Sequence, residues 1–127
     1  MARVDAGASI LRIQKFSYDN AVQGNIAPNG AVTLGSLPDN AFVIGTHIDT
    51  TVASGTSGGP ISIALKIGST TIVSSNNGAP FHTVGVSFEN DLVKLSGAQD
   101  ITFNNSSGSH TINAGVHTIF IQYYQGV

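Results

Sequence analysis

The chain has 127 residues, a length that fits one domain able to bury roughly two-thirds of the surface its unfolded form exposes. Only 9% of its residues are charged, five Lys and Arg against seven Asp and Glu for a formal net charge of -2, and no basic run is present, which argues against nucleic-acid binding. With no cysteine, a disulfide framework, a thiolate metal site and a thiol nucleophile are all excluded.

The scarcity of charge, set against abundant Gly, Ser, Thr and Asn, implies an uncharged polar surface with little colloidal repulsion, as suits a chain that lives in an assembly. The opening "MARVDAGAS" (1–9) carries no strand pattern and is expected to be an arm. Neither a signal peptide nor a membrane span fits the first residues, so synthesis in a cytoplasm without membrane insertion is expected. The sequons at Asn104 and Asn105 then count as chance.

From residue 10 onward, short alternating runs are separated by Gly, Pro and Asn, and no helical periodicity is sustained. The first predicted strand is 10–17, and Asn29-Gly30 marks a tight turn before a return strand at 31–37. In the long strand 41–52, Phe42, Ile44, Thr46, Ile48, Thr50 and Val52 fall on one face, read as the inward one. Residues 60–69 alternate Ile61, Ile63, Leu65 and Ile67 with small or polar residues, and are read as forming a hairpin with 41–52. Shorter strands are predicted at 70–75, 81–88, 92–95 and 100–105. The last, 116–124, is apolar on both faces, so it is either covered on both sides or turned toward a partner. Eight or nine such strands in 10–127 predict a single-domain, all-β antiparallel β-sandwich, most plausibly a jelly roll.

Several stretches invite a chemical reading. "SGTSGGP" (54–60) differs in one letter from the nucleophile loop of trypsin-like proteases, with Ser57 as nucleophile, Gly58 and Gly59 as backbone donors, and His47 and Asp49 as base and orienting acid. That arrangement draws its residues from two barrels, more chain than exists here, and Thr56 stands where the motif has Asp; a turn of small residues is the simpler reading. His47, His82, His110 and His117 fall on different elements without zinc-ligand spacing, so no metal and no other cofactor is expected. Glu89 and Asp91 share one probable turn and do not converge from separate elements, as paired acid-base catalysis requires. The chain is therefore read as a non-enzyme. Phe120, Tyr123 and Tyr124 form the largest aromatic cluster, fit either for core packing, for anchoring a partner, or for stacking on a sugar.

Leu37-Pro38 at a strand start, Ile48 to Thr51 closing an alternating strand, Ile67-Gly68, Ala114-Gly115 before a terminal strand, and Tyr123 or Tyr124 at its end resemble a pattern of small virion proteins of tailed bacteriophages. The resemblance covers about half the chain. It implies a head decoration (cement) protein or related fibre module, with a jelly roll that trimerises. On that reading the partners are other copies of the chain and the major capsid protein, and the location is the capsid surface after synthesis in the host cytoplasm. Interface residues are then expected in the arm, at Ala2, Arg3, Val4 and Asp5, and on the last strand, at Phe120, Tyr123 and Tyr124. A tail-fibre or receptor-binding module that recognises glycans is the alternative from another class.

Overall fold

A computed structural model describes residues 10–58, 61–76 and 79–125. Among these described residues nine strands form: β1 (Ile10–Asp19), β2 (Ala31–Leu37), β3 (Ala41–Thr56), β4 (Ser62–Ile67), β5 (Thr70–Asn76), β6 (Gly85–Glu89), β7 (Val93–Lys94), β8 (Gln99–Asn105) and β9 (Ile112–Gln125). A single helical turn, α1 (Asn20–Gln23), follows β1; the side chain of Asp19 caps it by accepting from the Ala21 N–H at 2.9 Å.

The strands pair antiparallel in two sheets, one in the order β1-β9-β3-β6 with β7 also on β3, the other in the order β2-β8-β4-β5. β6 and β7 pair with successive stretches of β3, Thr46 to Thr50 and then Phe42 to Val43, and so act as one interrupted strand. Counted that way, eight strands make two four-membered layers, and the chain changes layer at every connection except β4 to β5. This is the jelly roll anticipated from the alternating runs.

The layer changes correct two expected pairings. β3 does not form a hairpin with β4; it pairs with β9, β6 and β7, while β4 lies in the opposite layer between β5 and β8. Nor is β2 the return strand of β1, since β1 pairs with β9 and β2 with β8. Asn29 does adopt the left-handed conformation of a tight turn, φ 60, but that turn passes the chain across to the other layer. A local turn signal cannot distinguish a hairpin from an arch between sheets.

The inward face of β3 is also not the uninterrupted even-numbered set. Ala41 and Val43 point inward, then the register slips between Val43 and Gly45, and from there Thr46, Ile48 and Thr50 point inward. The extra residue of this bulge reverses the parity of the pleat. Phe42 is thereby left on the outside, and Val52 is exposed beyond a second register shift. The strand expected at 81–88 begins only at Gly85, because Phe81 is a fully buried plug between the layers.

The core lies between the two layers. From β4 come Ile63, Leu65 and Ile67, and from β9 come Ile119, Ile121 and Tyr123. At one end Tyr18 stacks on Phe103 with centroids 4.5 Å apart, and Phe81 meets Phe103 edge-on at 5.0 Å. The Tyr18 hydroxyl donates to the Gly24 carbonyl at 3.0 Å, so the buried phenol is satisfied. Its pKa is raised, chiefly by burial.

Candidate interaction surface

The residues that could have made a reaction centre are held apart. β3 runs extended from Ala41 to Thr56, so the ten residues from His47 to Ser57, at ~3.3 Å each, separate them by about 30 Å. Ser57 Oγ accepts the Thr111 N–H at 3.1 Å, and the Nδ1–H of the adjacent His110 donates to the Ser57 carbonyl at 2.9 Å. The nearby imidazole is thus directed at the backbone and not at the hydroxyl. Gly59 lies outside the described residues. His82 Nε2 bonds the Ile61 carbonyl at 3.0 Å, and no group of three His, Cys, Asp or Glu suited to a metal occurs among the described residues. Asn105 is buried, its amide donating to the carbonyls of Ile26, Ala27 and His110.

One polar constellation escaped the sequence reading. His117, on the inward face of β9, is fully buried, with Nε2 2.7 Å from Ser54 Oγ and Nδ1 2.9 Å from Thr50 Oγ1. Thr50 Oγ1 in turn donates to the Pro80 carbonyl at 2.7 Å. Its only hydrogen being committed, Thr50 accepts from Nδ1–H, which leaves Nε2 to accept from the Ser54 hydroxyl. The imidazole is therefore neutral, and burial lowers its pKa to about 4, helped by the charge of His82. A serine bonded to a histidine has the outline of a nucleophile and base, but a Thr holds the acid's place and Gly115 packs over both. A methyl group there would stand 2.8 Å from Ser54 Oγ and 2.9 Å from His117 Nε2, so no substrate atom fits. Residues 63 positions apart in sequence gave no local signal of this pairing.

The outward face of the five-stranded sheet is of a different character. Strand register places Leu11, Tyr124, Phe42 and Lys94 in one row across β1, β9, β3 and β7, with Ile13 and Gln122 in the next. Then come Lys15, Phe120, His47 and Phe88, and after them Ser17, Thr118, Asp49 and Val86. Leu11, Ile13, Phe42, Val86, Phe88 and Tyr124 are between 41% and 76% exposed. Gly45 lacks a side chain where the Phe88 ring lies across β3, and that ring rests 4.5 Å from the His47 imidazole. A hollow of about 400 Å³ opens in this face, with Ile13, His47, Asp49, Val86, Phe120 and Gln122 in its walls.

With aromatic side chains of roughly 150–250 Å² and the aliphatic ones toward the lower end of that range, these exposures leave on the order of 500–600 Å² of largely apolar surface in one patch. That is at the upper end of what monomers expose, ~300–600 Å², and approaches the ~800 Å² per partner of a standard interface. Of the expected interface residues, Phe120 and Tyr124 lie on this face. Tyr123 does not: the pleat turns it inward, 4% exposed, with its hydroxyl on Gln14 Oε1 at 3.3 Å, so it serves the core. Ala2, Arg3, Val4 and Asp5 lie outside the described residues. The outward positions of Phe42, Phe88 and Val86 were missed in sequence, Phe42 because of the bulge.

No family model and no curated protein matches the sequence. Solved structures do match. A chain from the capsid of Ralstonia phage GP4 superposes over 100% of this chain and 92% of its own, with a TM-score of 0.68 at 18% identity. The fold is one that phage capsids contain. A chain from the acid-stable capsid of Helicobacter pylori bacteriophage KHP30 matches with TM-score 0.63 at 9% identity, covering 91% of this chain and 90% of that one. One from the capsid asymmetric unit of cyanophage Pam1 matches with TM-score 0.54 at 17% identity, covering 98% and 91%.

Proposed function

We propose that this protein is a non-enzymatic structural component of a bacteriophage virion, a decoration (cement) protein that binds the outer surface of the capsid as a homotrimer and stabilises the shell. The observation that carries the reading is the uncovered apolar face of the five-stranded sheet, on a jelly roll shared with chains of three phage capsids. Separation of Ser57 from His47 and the closed packing around Ser54 favour a role without a reaction. The chain is made in the host cytoplasm and its partners are its own copies and the major capsid protein. A trimer seated on a junction of capsid subunits touches several at once, and such linked contacts gain from effective concentration. Because the closed shell binds the trimer and the opened shell does not, occupancy stabilises the closed state.

The test is to titrate purified protein onto undecorated shells assembled from the major capsid protein of the same genome, following occupancy and the temperature at which shells open. Saturable binding with a rise in opening temperature supports the reading. Adsorption to host cells or glycans without shell binding supports a receptor-binding module instead.

A further inference from the structure

We infer that the hollow in the outward face of the five-stranded sheet receives an arginine side chain of the capsid, its guanidinium paired with the carboxylate of Asp49. The inference rests on the decoration reading, in which the shell covers this face, and adds the chemistry that the shell must bring to it.

Asp49 is the charge that such a cover would strand. It is half-buried on β3, between β9 and β6, and its side chain stands in the wall of the hollow. Among the described residues no hydrogen bond or ion pair ties that side chain to another group. Water satisfies it while the face is open. A partner laid over the face removes the water, and a carboxylate left with neither water nor a counter-charge opposes binding.

The other charges of the face do not serve. Lys15 is exposed on the edge strand β1, two strand spacings of ~4.8 Å and one row away. Lys94 lies on β7, in the row of Phe42, and its Nζ donates to the Asn40 carbonyl at 3.3 Å. Both lysines stand at the margins of the sheet, where a long stem carries the charge to water even beneath a partner. Asp19 is itself acidic and caps α1. His47, two residues along β3, rests on the Phe88 ring and makes no ion pair with Asp49. Asp49 has a short side chain in the middle of the sheet, so its counter-charge comes from the partner.

The walls favour arginine among cations. The hollow, about 400 Å³, runs from Ile13 and Gln122 past Phe120 and His47 to Asp49 and Val86. An extended side chain entering it lays its methylenes on Ile13, Phe120 and Val86 and brings its head to the carboxylate. A planar guanidinium stacks on the Phe120 ring and meets a carboxylate with two parallel N–H donors, which a compact, strongly hydrated ammonium does not.

Affinity for undecorated shells of the same genome's capsid protein tests this, with melting temperatures confirming that each variant is folded. Asp49→Asn keeps the size and removes the charge; it is expected to weaken shell binding by about tenfold or more. Lys15→Gln, at the margin, is expected to change it by less than about threefold. Shell binding indifferent to Asp49→Asn overturns the inference and leaves the decoration reading standing. A second measurement needs no shell: N-acetyl-arginine amide is titrated into the wild type and followed by NMR, with the neutral N-acetyl-citrulline amide as its match. Saturable shifts at Asp49, Phe120 and Val86 with the arginine probe, lost with citrulline or in Asp49→Asn, are expected. Equal responses to the two probes, or none at these residues, overturn it. A wild type that binds no shell removes the decoration reading, and the two probes then decide the chemistry of the hollow by themselves.

Discussion

Acid should destabilise this fold through His117 in a defined range. The imidazole has a pKa of about 4 when folded against 6.5 as a free side chain, because burial opposes its charge. Above pH 6.5 both folded and unfolded chains hold it neutral, and its contribution to stability is fully present. As the pH falls from 6.5 toward 4 the unfolded chain takes up a proton that the folded chain refuses, so stability drops by ~1.4 kcal/mol per pH unit. The total loss is about 3 kcal/mol, and below pH 4 this group adds no further slope. Protonation also breaks the hydrogen-bond chain, because Nε2 becomes a donor and the Ser54 hydroxyl must find another acceptor. Urea unfolding between pH 7.5 and 4 measures the loss, with His117→Gln as the reference that removes this titration while leaving every other group in place. The difference between the two curves should shrink by about 3 kcal/mol across the range. Parallel curves, or an imidazole that titrates near 6.5 by NMR, would refute the reasoning.

Other perturbations separate core, backbone and surface. Phe103→Ala empties the contact between Tyr18 and Phe81 and should cost about 3–5 kcal/mol in chemical denaturation. Gly115→Ala places a methyl against Ser54 and His117 at φ 140, a conformation L residues rarely adopt; a loss of roughly 1–3 kcal/mol or more is expected, read as a lower melting temperature. Ser57→Ala removes only an exposed acceptor for the Thr111 N–H, so stability should change by less than about 1 kcal/mol, and esterase and peptidase assays should read blank before and after.

Much of the fold was legible because β-strands write their faces into sequence with a period of two. β4 is the clear case, with Ile63, Leu65 and Ile67 all buried as their alternation required. β3 shows the limit: one bulge between Val43 and Gly45 reversed the pattern, sending Phe42 outward, and no residue type announces a bulge before the pairing is known. Pairing itself was the less legible part, since a jelly roll joins strands that are distant in sequence. β1 with β9 and Ile26 with Ile112 are contacts that no local turn chemistry encodes. The interaction face follows the same logic. Phe120 and Tyr124 were visible as one of two apolar sets on a single strand, but which set faces outward, and its extension to Leu11, Phe42 and Phe88, depends on the register of four strands. The Ser54–His117–Thr50 chain lay hidden for the same reason.

The most direct test of a jelly roll that works by association is cryo-electron microscopy of undecorated shells incubated with the protein. The account predicts added density at three-fold junctions of the lattice, three sandwiches to a cluster, with the apolar face that carries Phe42, Phe88 and Tyr124 covered by protein. Bare shells, or isolated chains whose β1-β9-β3-β6 face looks out into solvent, would contradict it.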